Sequence, residues 1–181
     1  MRIIGGQYRG FRFEPHSKIP ARPTTDRSKE SLINILLSNY ELQDQPCLDL
    51  FSGTGNLAYE FASQGASSVT AIDANFHSVA FIKLIFNQLK FKEHHIINCD
   101  VFKWLKQAHS TQYKIIFADP PYDHLSLSLL PKLVFNANLL LPGGVLVVEH
   151  RASLSLTHDA FKYHRDYGQS RFSFFECATD V

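Results

Sequence analysis

Cysteine is scarce in this 181-residue sequence. Cys47, Cys99 and Cys177 are odd in number and far apart, which argues against a disulfide framework and offers no paired spacing for zinc. Long apolar runs are lacking too: no stretch approaches the roughly 20 residues that a spanning helix needs. The polar, glycine-bearing start "MRIIGGQYRG" does not read as a signal peptide, so a cytoplasmic protein without membrane contact is expected. The nine histidines form no HExxH or similar ligand spacing, and "EHH" at 93–95 merely precedes a strand-like run, so no metal is expected. No G-x-S-x-G occurs, and no lysine follows the glycine pair at Gly53 and Gly55, which leaves serine hydrolases and P-loop enzymes without support. What is present is a globular composition, 45% hydrophobic and 19% charged, in a length that suits one domain with a sizeable core.

Net charge is only +1, yet it is unevenly spread. Residues 1–30 hold seven cations (Arg2, Arg9, Arg12, Lys18, Arg22, Arg27, Lys29) against Glu14, Asp26 and Glu30, whereas the rest of the chain is net −3. A basic arm on a slightly acidic body suits an enzyme that grips a polyanion beside its catalytic domain, although a solvated tail would carry the same charge. Within the arm, "RIIGGQYRGFRFE" has strand-like pieces broken by Gly5, Gly6 and Gly10, which reads as a small β-hairpin. Pro15, Pro20 and Pro23 then make an extended linker. Thr25 is placed to cap a helix whose buried face would carry Leu32, Ile33, Leu36, Leu37 and Tyr40. The division expected is an N-terminal hairpin and basic arm over 1–24 and a main domain over 25–181.

From residue 46 onward, short apolar runs alternate with helical spacing. "CLDLF" (47–51), "SVTAID" (68–73), "HIINCD" (95–100), "KIIFAD" (114–119) and "GVLVVEH" (144–150) read as strands. Val79, Ile82, Phe86 and Leu89 recur as one helix face, and Gly65 is a natural helix C-cap. Pro131 should kink a helix or start its second part. Such alternation predicts an α/β fold with a mostly parallel sheet. "FKYHRDYG" and "RFSFFECA", either side of a turn at Gly168, predict an antiparallel hairpin added at its edge.

Parallel sheets bind ligands beyond their carboxyl ends, and acids gather there. Asp49 stands just before the Gly53-x-Gly55 turn, where it suits a ligand with a positive, amino-acid-like end. Asp73 ends the second strand, roughly 20 residues past the glycines, as a ribose-binding carboxylate does. Asp100 ends the third and can accept from an adenine amino group. Asp119 ends the fourth and is followed by Pro120 and Pro121, which fix two φ angles and remove two donors, leaving a stiff turn with free carbonyls. Any one of these acids alone would more often be a helix cap or a solvated loop residue. At successive strand ends they must face one crevice.

This set resembles a class I S-adenosylmethionine-dependent methyltransferase. Asp119-Pro120-Pro121-Tyr122 is similar to the (Asp/Asn)-Pro-Pro-(Tyr/Phe) motif of enzymes that methylate planar amino groups. "RIIGGQYRG", "RPTTDRSKESLINIL" and "YGQSRFSFFE" extend the resemblance over nearly the full length, to the RsmD family, which methylates a guanine N2 in small-subunit (16S) ribosomal RNA. Ala58, Gln64 and Ile33 depart from that family's usual residues, at packing or surface positions. The resemblance implies a Rossmann-like fold with S-adenosylmethionine held by Asp49, Phe51, Gly53, Gly55 and Asn56 on the first turn, by Asp73, and by Asp100 with Val101. It implies catalysis by Asp119, Pro120, Pro121 and Tyr122, with Tyr122 stacked on the target base. It implies RNA contacts through Arg2, Arg9, Arg12, Arg22 and Arg27, the partner being small-subunit ribosomal RNA or an assembling small subunit, met by a monomer. Two other readings remain open from sequence. One is methylation of another planar amine, in DNA adenine or protein glutamine, for which 181 residues leave little room for a recognition domain. The other is a non-catalytic RNA- or nucleotide-binding module, against which the intact acid set argues.

Overall fold

The computed structural model describes residues 1–15, 17–19 and 26–179. Thr25, Arg22, Pro20, Pro23 and the expected boundary at 24/25 lie outside the described residues. The chain forms α1 (Asp26–Asn39), β1 (Pro46–Leu50), α2 (Asn56–Ser63), β2 (Ser68–Asp73), α3 (Phe76–Leu89), β3 (His94–Asn98) and α4 (Val101–Trp104). It continues through β4 (Tyr113–Ala118), a 3-10 turn (Leu127–Leu129), α5 (Leu130–Asn136), β5 (Leu140–Arg151), β6 (Phe161–Tyr167) and β7 (Ser170–Glu176).

All the strands join one seven-stranded sheet in the order β3-β2-β1-β4-β5-β7-β6. The first five run parallel; β7 pairs antiparallel with both β5 and β6. The expected α/β sheet with an antiparallel C-terminal hairpin is therefore present, with β7 rather than β6 docked against the parallel part. Side chains alternate between its two faces, as the pleat requires. Ile115, Phe117, Val145 and Val147 join the core under α1, α2 and α3, while Ile116, Ala118, Leu146 and Val148 join the core under α4 and α5. Strands covered on both faces read as continuous apolar runs, which is why they stood out in the sequence.

Several expectations are corrected. The first strand ends at Leu50, and Phe51 takes a left-handed φ of 60° that swings the chain out of the sheet. The third strand ends at Asn98, because Asp100 leaves it to cap α4. Leu37 is 46% exposed: at 100° per residue it falls beside, not on, the stripe made by Leu32, Ile33 and Leu36. Helix α2 stops at Ser63, with Gln64 as its cap and Gly65, at φ 92°, as the left-handed residue after it. Pro131 stands in the first turn of α5, after the 3-10 turn, so it starts a second helical part.

The N-terminal hairpin is reduced to a single antiparallel bridge, Arg2 with Arg12, flanked by backbone bonds from Ile3 N to Phe11 O (3.0 Å) and Gly10 N to Ile3 O (2.9 Å). It lies flat on the domain: Ile3 and Phe13 belong to the core under α1, α2 and α3. Gly6, at φ 72°, sits so close to Ser63 that a Cβ there would lie 1.9 Å from its carbonyl oxygen. Among the described residues no helix is long and apolar enough to cross a membrane.

Candidate active site

Beyond the carboxyl ends of β1, β2 and β4 and the start of α4 lies a cavity of about 680 Å³, a size suited to a cofactor-sized ligand. Asp49, Phe51, Gly53, Asn56, Asp73, Asp100 and Val101 line it, together with Asp119, Pro120 and Pro121. The topology thus gathers residues as far apart in sequence as Met1 and His124 around one space.

Asp49 is 2% exposed and accepts a hydrogen bond from the Ala58 N–H of α2 (3.2 Å). Burial holds its pKa well above the usual carboxylate range; the Ala58 bond works against this, and the nearby Asp119 and Asp73 charges add to it. Asp73 is already organised: Oδ2 accepts from Gly53 N and Oδ1 from Asn75 N, each at 2.7 Å. One carboxylate therefore pins the glycine turn after β1 to the turn after β2 and still has lone pairs to offer. Asp100 Oδ1 accepts from Lys103 N (2.8 Å), so it caps α4 while facing the cavity. Among the described residues, no Lys or Arg lines the cavity. A cavity with this many carboxylates favours a ligand bearing positive charge and several donors, and the sulfonium, ammonium and ribose hydroxyls of S-adenosylmethionine fit that demand.

Two expected site residues stand apart from the lining. Gly55, at φ 78°, is needed for packing: a Cβ would lie 2.6 Å from the Tyr59 ring and 2.9 Å from Ile82. Gly53, at φ 53°, has no atom closer to its Cβ position than 4.0 Å and lies open to the cavity, so the two glycines of one motif do different work. Tyr122 is half-buried and directed at the sheet, its hydroxyl 3.1 Å from Glu149 Oε1 and 2.7 Å from Ser170 Oγ.

Sequence reasoning missed Asn75, Phe117 and His124, which also line the cavity. Asn75 was legible as an N-cap two residues past an acid; its side chain accepts from His77 N (2.8 Å) and Ser78 N (3.2 Å). His124 stacks on Phe102 at 4.3 Å, a contact with no local signal in either stretch.

The basic arm is smaller than its count. Lys29 is fully buried: its Nζ lies 2.8 Å from Glu60 Oε1 and donates to Arg2 O (2.6 Å) and Asn56 Oδ1 (2.8 Å). Arg2 pairs with Asp26 at 3.0 Å. Arg9, Arg12 and Arg27 are exposed.

The sequence profile of the family described as "Conserved hypothetical protein 95" matches residues 1–176. The chain belongs to that family. It is 32% identical, over 155 residues, to "Ribosomal RNA small subunit methyltransferase D" of Buchnera aphidicola, covering 86% of this chain and 78% of that one. It is 30% identical, over 159 residues, to "Putative rRNA methyltransferase YlbH" of Bacillus subtilis, covering 86% and 85%. Among solved structures, "Putative methyltransferase yhhF" of Escherichia coli superposes with a TM-score of 0.87 at 27% identity, covering 99% of both chains. The RsmD resemblance and the class I methyltransferase fold are thereby borne out, and the chain is a methyltransferase.

Proposed function

We propose that this protein transfers a methyl group from S-adenosylmethionine to the exocyclic N2 amine of a guanine in small-subunit ribosomal RNA. The observation that carries the reading is Asp119-Pro120-Pro121 forming a wall of the same cavity that Asp49, Asp73 and Asp100 line. The relatives named as small-subunit ribosomal RNA methyltransferases support the choice of substrate.

S-adenosylmethionine supplies an electrophilic methyl on a sulfonium. Asp49 and Asp73 bind the cofactor's ammonium end and ribose, respectively, and Asp100 meets the adenine side. An exocyclic guanine amine is a weak nucleophile because its lone pair is delocalised into the ring. Asp119 and the Pro120 carbonyl each accept one amine hydrogen, which draws the nitrogen toward tetrahedral geometry and turns its lone pair toward the methyl. Asp119 need not deprotonate the amine before attack, since the methylated ammonium is strongly acidic. Pro120 and Pro121 keep the acceptors from rotating, and Tyr122 supports the base once it has left its stack. Arg9, Arg12, Arg22 and Arg27 hold RNA phosphates.

The test is radiolabelled methyl transfer to naked small-subunit ribosomal RNA and to assembled small subunits, followed by nucleoside analysis. N2-methylguanosine is the expected product. Label on adenine, on protein or nowhere would overturn the reading.

A further inference from the structure

The stretch "YGQSRF" at the C-terminal hairpin has no part in the mechanism above, yet it reaches the active-site loop. Gly168, at φ 63°, turns β6 into β7 and brings Ser170 opposite Arg151 at the end of β5. Ser170 Oγ and Glu149 Oε1 both meet the Tyr122 hydroxyl, at 2.7 and 3.1 Å. Glu149 is 5% exposed, so its bond to the phenol is made largely out of water. The Arg151 guanidinium lies 5.8 Å from the centre of the Tyr122 ring and pairs with the neighbouring Asp123 at 2.9 Å.

We infer that Glu149, Ser170 and Arg151 form a bracket that sets the pose of the Asp119–Tyr122 loop, with Glu149 and Ser170 acting as positioning residues for methyl transfer. A loop that must aim two acceptors at one amine needs both ends fixed. Strand β4 holds one end, through Asp119 N donating to Leu50 O (3.3 Å). The phenol hydroxyl, held from two strands, fixes the other, and the two prolines between them transmit the constraint because their φ angles are locked. The hairpin is thus a structural support of the active site, reaching it from about 50 residues downstream in the chain.

This inference rests on the proposed methyl transfer, and a double-mutant cycle tests it with a second readout that does not. Single-turnover rates with S-adenosylmethionine and small-subunit ribosomal RNA saturating are compared for wild type, Tyr122→Phe, Ser170→Ala and the double variant. Losing its one bond to the phenol should slow Ser170→Ala about three- to tenfold, and Tyr122→Phe, which loses both bonds, should be slowed at least as much, with cofactor Kd unchanged in each. The double variant should be no slower than Tyr122→Phe, and Ser170→Thr should restore the rate. Hydrogen exchange on the protein alone should show the amides of residues 122–126 opening faster in Ser170→Ala. Additive losses, or Ser170→Ala at the wild-type rate, would overturn the bracket. If wild type methylates no guanine, the proposed function fails, and exchange alone decides: unchanged protection in Ser170→Ala overturns the bracket, faster exchange sustains it.

Discussion

Asp119, Asp73 and Asp49 make three distinct demands on their surroundings. If Asp119 orients the amine, its bond strengthens as positive charge develops on nitrogen, so Asp119→Ala should lose turnover far more than RNA affinity. A single-turnover rate lowered by about 10² or more is expected, with Asp119→Asn milder because an amide oxygen still accepts. Asp73→Ala should weaken S-adenosylmethionine binding by roughly 1–3 kcal/mol in calorimetry, since the Gly53 N–H that it holds at 2.7 Å is released along with the proposed ribose contacts. Asp49 predicts a trade between stability and binding. Its pKa is raised in the fold by burial, so the folded state holds the proton more tightly than the unfolded chain does. Stability from this group is therefore present below the ordinary carboxylate range and is lost as pH rises through the elevated folded value. Asp49→Asn should flatten that fall in thermal melts of the protein alone across a pH series, while lowering cofactor affinity.

At the scale of elements, the Lys29–Glu60 pair ties α1 to α2 and, through the Arg2 carbonyl and the Ile4 N–H, to the N-terminal segment. Both side chains are wholly excluded from water, so removing one leaves the other charged and buried. Lys29→Met should cost roughly 3–5 kcal/mol in denaturant unfolding, and adding Glu60→Leu should recover much of it. Recovery failing while the fold persists would mean that the backbone bonds to Glu60, not the ion pair, hold the segment. Lys29 also donates to Asn56, which lines the cavity, so cofactor affinity should fall in Lys29→Met as well.

Across the whole molecule, charge is divided: carboxylates line the cavity, and the exposed Arg9 and Arg12 lie on the N-terminal segment packed against α2. Arg9→Ala with Arg12→Ala should weaken RNA binding at every sequence and reduce the log-log salt slope by up to about 1 per lost phosphate contact, with cofactor affinity intact. Filter binding across a salt series reads this. An unchanged slope would make the segment a structural strap only.

The sequence by itself determined the strands, because a strand buried on both faces must be apolar throughout, and it placed Asp49, Asp73 and Asp119 at strand ends because ligands of parallel sheets sit there. Asp-Pro-Pro was legible since its stiffness is local chemistry. Tertiary structure decided the rest. Lys29 looked like one more cation of a basic arm until Glu60, 31 residues on, was brought against it. Gly53 and Gly55 are indistinguishable in the motif and differ only in whether Tyr59 or open space lies beyond the missing Cβ. Tyr122 reads as a stacking ring beside the prolines, yet its hydroxyl finds partners on β5 and β7, set by a strand order that no local pattern encodes. Periodicity reports how much of a residue is covered; which residue covers it depends on contacts between distant segments.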